Sequence, residues 1–333
     1  MPAPQALRAD TVRVTVAVPT FRRPEELRTL LPLLLQHVRE VSAGRYAADV
    51  LVVDNDPAGS AAATVAGVGA PELRYVAEPT PGIAAVRNRA LAESADAALL
   101  AFIDDDERPE PGWLTALLDT WAATGAAAVS GVVLAEYAHE PDPWLLAGDF
   151  FVRRRMRTGT PIDVAACGNL LLDLVQVRAL GLGFESSLGL GGGEDTLFTR
   201  TLVRAGGRMV WCDESAAVDR VPAERMTRAW VLTRAWSHGN AAVLTELRLT
   251  PGAAGRLRVR AAGVAGGLLR VAGGGLRWGW GALRRSDRHR ARGLRALLRG
   301  AGMAGGACGV VFEEYARSGR RWRLARGGHR WTP

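Results

Sequence analysis

Lysine is missing from this chain: every one of its 42 basic residues is an arginine. Beside abundant alanine and glycine, that bias reads as the composition of a GC-rich genome, so the number of arginines carries no functional message. The absence does exclude one motif. The glycine-rich stretch 184–193 lacks the Lys-Ser/Thr that completes a P-loop, so it is not a nucleoside-triphosphate cradle. Cysteine is scarce as well. Cys167, Cys212 and Cys308 are widely spaced, with no CxxC and no His-rich zinc pattern. That argues against a disulfide framework and suits a reducing cytosol. Residues 1–10 lack the apolar stretch of a signal peptide. The longest uncharged apolar run near the C-terminus, 261–269, falls far short of the ~20 residues that a membrane span needs.

Acidic residues are scarce in one region only. Residues 221–333 carry 22 arginines against five acids, a net +17, whereas residues 1–220 carry 20 against 29, a net −9. The two parts are chemically different objects. The acidic part offers no face for nucleic acid, and no nucleic-acid partner is expected. Composition alone lets the basic part suit an anionic membrane surface or nucleic acid, and the membrane surface is the expected one. The length of 333 residues and a hydrophobic content of 48% allow a sizeable core in a large domain with an appendage, or two domains.

Apolar runs and helical spacing then order the chain. Strands are expected at 12–18, 50–53, 73–77, 99–103 and 126–134. Helices are expected from Pro24 onward, at 83–94 and at 111–124, with Pro32 a candidate kink. Strands alternating with helices predict a parallel, doubly wound sheet. Ligands bind such sheets at the carboxyl ends of their strands. There the sequence places Asp54, just past the second strand, and Asp104-Asp105-Asp106-Glu107, just past the fourth. Adjacent carboxylates repel one another, and a divalent cation relieves that repulsion; oxygen-rich sites suit Mg²⁺ or Mn²⁺. A solvated acidic turn is the other reading of the same residues.

Further along, residues 136–161 read as an irregular loop holding Arg153-Arg154-Arg155, long enough to be functional. Glu194 and Asp195 open a helix at 196–205. Capping alone explains acids there, but Gly189 and Gly191-Gly192-Gly193 before them let a substrate approach the backbone closely. In the tail, residues 256–309 alternate small apolar residues with arginine, and Trp278 and Trp280 lie among them. This composition suits an amphipathic interfacial helix or a soluble helical subdomain, and its many glycines weaken helix formation.

Five stretches, in order, resemble the family 2 glycosyltransferases. Val18-Pro19-Thr20-Phe21-Arg22-Arg23-Pro24 is similar to the family's opening, and Val52-Val53-Asp54-Asn55 to its second-strand signature. Gly82 with Ala84, Ala85, Arg87, Asn88 and Ala90 is similar to its Gly-x-x-x-Ala-Arg-Asn stretch. Asp104-Asp105-Asp106 resembles its DxD motif, and Gly192-Gly193-Glu194-Asp195-Thr196-Leu197-Phe198 its Glu-Asp motif. The resemblance covers about the first 220 residues. It implies a GT-A fold, a Rossmann-like, mostly parallel sheet flanked by helices, over 1–220; the composition of 221–333 adds a helical, arginine-rich C-terminal extension. It implies a nucleotide-diphospho-sugar donor, Mg²⁺ or Mn²⁺, and inversion at the anomeric carbon.

Carried over by position, Pro19, Thr20, Phe21 and Arg22 belong to the donor site. Asp54 would accept from the base, and Arg87 and Asn88 would lie near the nucleotide. Asp104 and Asp105 would face ribose or metal, and Asp106 would be the principal metal ligand. Asp195 would be the general base, with Glu194 beside it. Many relatives carry a His after the last strand. Here Ala217-Val218-Asp219-Arg220 has none, which leaves Asp219 as an oxygen ligand or Arg220 as a diphosphate contact. Two rival readings are a nucleotidyltransferase and a non-catalytic sugar-binding relative. The first usually carries a glycine-rich loop after its first strand, and 19–24 has no glycine. Against the second stand the intact Asp104, Asp106 and Asp195. The expected acceptor is a hydroxyl on a glycan, a lipid-linked sugar or a small molecule. The expected location is the cytoplasm, with peripheral attachment to the inner membrane face.

Overall fold

Strand Val12–Thr20 (β1) is buried from Val14 onward, because it lies between parallel neighbours with a layer of side chains on each face. In this computed structural model residues 11–186, 192–312 and 322–324 are described. Residues 1–10, with the signal-peptide reading made of them, and Gly189 and Gly191 lie outside those residues.

Helix α1 (Pro24–Ser42) follows β1 and leads to β2 (Tyr46–Asp54), α2 (Ala62–Val68), β3 (Leu73–Ala77), α3 (Ile83–Glu93) and β4 (Leu99–Ile103). Next come β5 (Glu107–Pro109), α4 (Trp113–Thr124), β6 (Ala128–Tyr137), α5 (Pro143–Ala147), β7 (Asn169–Asp173), α6 (Leu174–Ala179), α7 (Glu194–Arg204) and β8 (Met209–Val221). One eight-stranded sheet runs in the order β3-β2-β1-β4-β7-β6-β8-β5. The pairs β3-β2, β2-β1 and β1-β4 are parallel. From β4 outward, the pairs β4-β7, β7-β6 and β8-β5 are antiparallel. The α/β class and the mostly parallel sheet flanked by helices stand. The amides of Ala127 and Ala138, at either end of β6, donate to the carbonyls of Arg208 and Val221, at either end of β8, so these two strands run together. β7 and β5 are the reversed strands. An apolar run records that a strand is buried on both faces; it does not record which way its neighbour runs.

Side-chain alternation splits the core in two. Val16, Val18, Val52, Leu99 and Ile103 face Leu27, Leu31, Leu114 and Leu117 of α1 and α4. Ala17, Leu51, Leu100 and Phe102 face the other way, into a layer with Val86, Ala90, Val177 and Phe198. Helix α1 continues through the exposed Pro32, and its stripe Leu27, Leu30, Leu31, Leu34, Leu35 and Val38 is buried throughout.

The contacts divide the chain into two compact units. One takes the described residues of 1–135, 153–187 and 194–220; the other takes those of 136–152, 188–193 and 221–333. The second unit holds α5, then α8 (Arg228–Leu249), α9 (Ala253–Leu283), α10 (Asp287–Ala307), β9 (Val310–Phe312) and β10 (Trp322–Leu324). The glycines that argue against helix in the tail lie where its helices touch. A Cβ on Gly274 would sit 2.5 Å from the Leu297 nitrogen and 2.7 Å from the Gly293 carbonyl oxygen; one on Gly300 would sit 2.5 Å from the Gly267 oxygen. Only glycine lets these two backbones approach so closely. Among the described residues no helix is long and apolar enough to cross a membrane.

Candidate active site

β4 ends at Ile103 and β5 begins at Glu107, so the intervening Asp104-Asp105-Asp106 forms the turn at the sheet edge. Asp105 is buried. Its carboxylate accepts from the Thr20 hydroxyl at 2.8 Å and from the Arg23 guanidinium at 2.8 Å. Arg23 also lies 2.8 Å from Asp106. Burial, opposed by Arg23, pushes the Asp105 carboxyl up to about 6, with the Asp106 charge adding to the rise. Burial opposes the charge on Arg23, but Asp105 and Asp106 outweigh it and hold the guanidinium protonated.

Glu107 is buried behind them. Desolvation first, then the charges of Asp104, Asp106 and Asp219, push its carboxyl well above the ordinary range. Asp219 stands opposite Glu107 in the β5–β8 register. One Asp219 oxygen pairs with Arg153 at 2.8 Å, and the other is buried with no hydrogen-bond partner among the described residues. The β7 entry presses on the same acids: a Cβ on Gly168 would lie 2.5 Å from Glu107 Oε1 and 3.1 Å from Asp104 Oδ2.

This donor set fits an oxygen-preferring divalent cation. It is made of carboxylates, burial and neighbouring charges push those of Asp104, Asp105 and Glu107 toward their neutral form, and one Asp219 oxygen is orphaned among the described residues. Among the described residues no three His, Cys, Asp or Glu side chains form a ready-made cage. That matches how Mg²⁺ is held beside phosphates, through one or two carboxylates with the substrate's own oxygens completing the shell.

A second group forms where α3 meets α7. The Arg87 guanidinium, 5% exposed, forms an ion pair with Glu194, 3% exposed. It lies 3.9 Å from Asp104 and over the Phe184 ring at 5.7 Å. Burial works against its charge, yet Cys167, Glu194, Asp104 and Asp195 together raise its pKa. Burial lifts the Glu194 carboxyl, and Arg87 opposes that lift. Asp195, the next residue, remains partly exposed and accepts a hydrogen bond from the Thr196 backbone at 2.5 Å. Desolvation, opposed by Arg87, pushes the Asp104 carboxyl upward, and Asp106, Asp195 and Asp219 add their charges. Asp104 keeps 40% of its side chain exposed, so solvent tempers the shift. The α7 acids and the turn acids therefore share one electrostatic environment.

Several expected donor contacts have other partners. Asp54 is fully buried; its carboxylate accepts from the backbone of Asp56 at 2.9 Å and Ala61 at 2.8 Å, and from the Tyr75 hydroxyl at 3.2 Å. Its oxygens shape the loop after β2 and are not open to a base. Asn88 is a clamp too, bonding the Phe184 carbonyl and amide at 2.8 Å each. The guanidinium of Arg87 is enclosed by acids rather than open to a nucleotide. Pro19 is buried at the end of β1, and Thr20 acts through Asp105. Phe21 stays partly open beneath the Arg22 guanidinium, 5.0 Å from the ring centroid. Arg22 has a left-handed φ of 58° and reaches Asp56 at 3.4 Å. The backbone of Arg220 lies 3.5 Å from the Asp106 carbonyl.

Sequence reasoning named Arg23, Glu107 and Arg153 within their stretches but gave none of them a role in the site. Arg23 sits inside the opening motif and Glu107 directly follows the aspartates, so position alone could have flagged both. Arg153 is distinguished from its neighbours Arg154 and Arg155 only by what it touches.

Residues 15–174 match the family described as Glycosyl transferase family 2. The succinoglycan biosynthesis protein ExoM of Rhizobium meliloti (strain 1021) is 37% identical over 234 residues, which is 69% of this chain and 74% of that protein. Among solved structures, S. aureus TarS 1-349 superposes with a TM-score of 0.50 at 14% identity, over 71% of this chain and 64% of that one. GalNAc-T7, solved with UDP, GalNAc and Mn²⁺, superposes with 0.51 at 10% identity, over 71% and 51%. The chain thus spans less than two thirds of either solved structure, and at these identities the likeness shows the fold alone.

Proposed function

The chain belongs to the family 2 glycosyltransferases, and on that premise we propose that it moves a sugar from a nucleoside-diphospho-sugar to an acceptor hydroxyl by single, inverting displacement. The observation that carries the mechanism is the shared field of two acid groups: the turn acids at the end of β4, and Asp195 at the start of α7. Cleaving a sugar–diphosphate bond places charge on the leaving group, and the acceptor hydroxyl, whose pKa lies far above 7, must lose a proton to a base. A divalent cation, Mg²⁺ or Mn²⁺, supplies the neutralising charge when bound. Asp106, Asp104 and the orphaned oxygen of Asp219 would hold it. Arg23 fixes Asp105 and Asp106, and Thr20 fixes Asp105 from the other side. Asp195 takes the acceptor proton, and Glu194, locked to Arg87, holds the turn that presents it. No covalent intermediate forms, so no second nucleophile is required.

Phe21, flat and partly open at the end of β1, is the surface for the base of the donor. The acceptor is a hydroxyl on a growing polysaccharide, a reading supported by the relative named for succinoglycan biosynthesis. Such work belongs in the cytoplasm, at the inner face of the membrane. The test is a panel of nucleoside-diphospho-sugars with Mg²⁺ or Mn²⁺, read as donor binding and nucleotide release. One donor is expected to bind and turn over, and Asp106→Asn to abolish its cation-dependent turnover while the fold survives. Near-normal turnover of Asp106→Asn in excess chelator removes the cation from the mechanism. Silence toward every donor removes the catalytic reading.

A further inference from the structure

Among the described residues, one face of helix α9 has no protein partner. Leu268, Leu269, Leu276, Trp280 and Leu283 are 58%, 74%, 77%, 49% and 76% exposed. At 100° per residue these five fall within an arc of roughly 120°. The seam glycines Gly263, Gly267, Gly274 and Gly281, all buried, lie on roughly the opposite side. From residue 261 to 283 every other position in the apolar arc is alanine or glycine. The result is an uncharged strip roughly 33 Å long. Scattered exposed leucines are ordinary on a soluble protein, but a continuous strip of this length marks an interaction surface.

The charge around the strip says what covers it. Helix α9 holds five arginines and no Asp or Glu. Arg277 and Arg270 lie between the strip and the glycine seam, roughly 60° and 80° past one edge of the arc, Arg270 beside Gly300 of α10. Arg284, just past the helix, stacks over the Trp280 ring at 4.6 Å. A second copy of the chain packed on this strip would bring like arginine flanks together, with no acid on α9 to pair them. A bilayer with anionic headgroups matches both features: its acyl boundary takes the leucines, and its phosphates take the flanking guanidinium groups. Nor does the helix suit a transmembrane path. Its other side is a glycine seam filled by α10, and its arginines would be costly inside the hydrocarbon.

We propose that this face of α9 is the surface on which the protein lies, with the helix axis in the membrane plane, against an anionic bilayer. The proposal deepens the membrane placement made above by naming the surface, and it does not depend on sugar transfer. The test uses the full chain and vesicles of phosphatidylglycerol and phosphatidylcholine in equal parts, with pure phosphatidylcholine beside them. The protein is expected to bind the anionic vesicles and to be released as salt rises. The triple variant Leu268→Ser, Leu276→Ser, Leu283→Ser is expected to bind about tenfold more weakly or worse, with an unchanged thermal midpoint because these side chains are exposed. Val175→Ser, which removes an apolar side chain 61% exposed in the first unit, is expected to change nothing. Arg270→Gln with Arg277→Gln is expected to weaken binding to anionic vesicles only. Three outcomes overturn the proposal. The first is that the full chain binds no vesicles, the second that the triple variant binds as well as the parent, and the third that the protein is a dimer which the triple variant dissociates with no change in vesicle binding. Transfer to a soluble acceptor, measured on the same samples, judges the catalytic reading separately; vesicle binding alone decides this one.

Discussion

Glu194 and Asp195 are adjacent in the chain and opposite in circumstance. Glu194 is 3% exposed and bound to Arg87, whereas Asp195 keeps access to solvent. Their substitutions should therefore separate stability from catalysis. Glu194→Gln leaves a buried guanidinium short of its main counter-charge, a loss on the order of 3–5 kcal/mol. Thermal or denaturant unfolding should register it. Asp195→Asn should unfold like the parent and bind donor like the parent, yet turn over roughly 10²–10⁴-fold more slowly, the scale of general base catalysis. If Asp195→Asn instead weakens donor binding at full turnover, Asp195 is a binding residue. His37 gives a prediction in pH. It is 5% exposed in α1, its Nδ1 has no hydrogen-bond partner among the described residues, and it meets the Trp113 ring at 5.9 Å. Burial lowers its pKa from 6.5, against the weaker pull of Glu40. The folded protein thus holds the imidazole neutral while the unfolded chain protonates it at its ordinary value. The stability this brings is complete above about 6.5 and is lost as pH falls toward the lowered value. Denaturant unfolding of His37→Gln should show a shallower loss across that window than the parent, and equal slopes would contradict the assignment.

At the level of elements, neighbouring glycines in α9 should respond with opposite signs. A Cβ on Gly274 would lie 2.5 Å from backbone of α10, whereas a Cβ on Gly273 would meet nothing within 4 Å. Gly274→Ala should destabilise the second unit by about 1–3 kcal/mol, the cost of overpacking. Gly273→Ala should stabilise it by up to about 1 kcal/mol through helix propensity alone. A shared sign for the two variants, read by thermal unfolding, would refute the seam. The same contrast explains what the sequence could and could not reveal. β1, β2 and β4 were legible because strands covered on both faces read as apolar runs, and the turn acids because three carboxylates follow one of those runs. The antiparallel pairing of β7 was not legible, since apolar residues carry no direction. The tail helices were obscured because a glycine counts against a helix until its partner's backbone is known. Arg23 was overlooked beside Arg22 because adjacent arginines differ only in where the turn before α1 points them.

On the scale of the whole molecule, the sequence boundary at residue 220 follows the change in charge, from −9 before it to +17 after it. The contacts follow something else, because residues 136–152 group with the C-terminal helices. The reasons are specific. Asp142 pairs with Arg228 at 2.8 Å, and Arg228 lies over the Trp144 ring at 4.9 Å. Asp149 pairs with Arg292, and Arg295 donates to the Asp149 carbonyl at 2.9 Å. Phe151 stacks on Trp230 with centroids 6.1 Å apart. A chain that stops at Arg220 keeps Trp144, Leu145, Phe150 and Phe151 but loses the side chains of α8 and α10 that meet this segment. Exposed aromatic surface of that kind promotes aggregation. The truncated chain should therefore bind an apolar dye such as ANS more strongly than the full chain and elute as aggregate in size-exclusion chromatography. Deleting 136–152 as well, with a short glycine–serine link between residues 135 and 153, should reduce both effects. That rescue is the discriminating arm. If the plain truncation is monodisperse and dye-silent, residues 136–152 do not need the C-terminal helices, and the charge boundary is the true one.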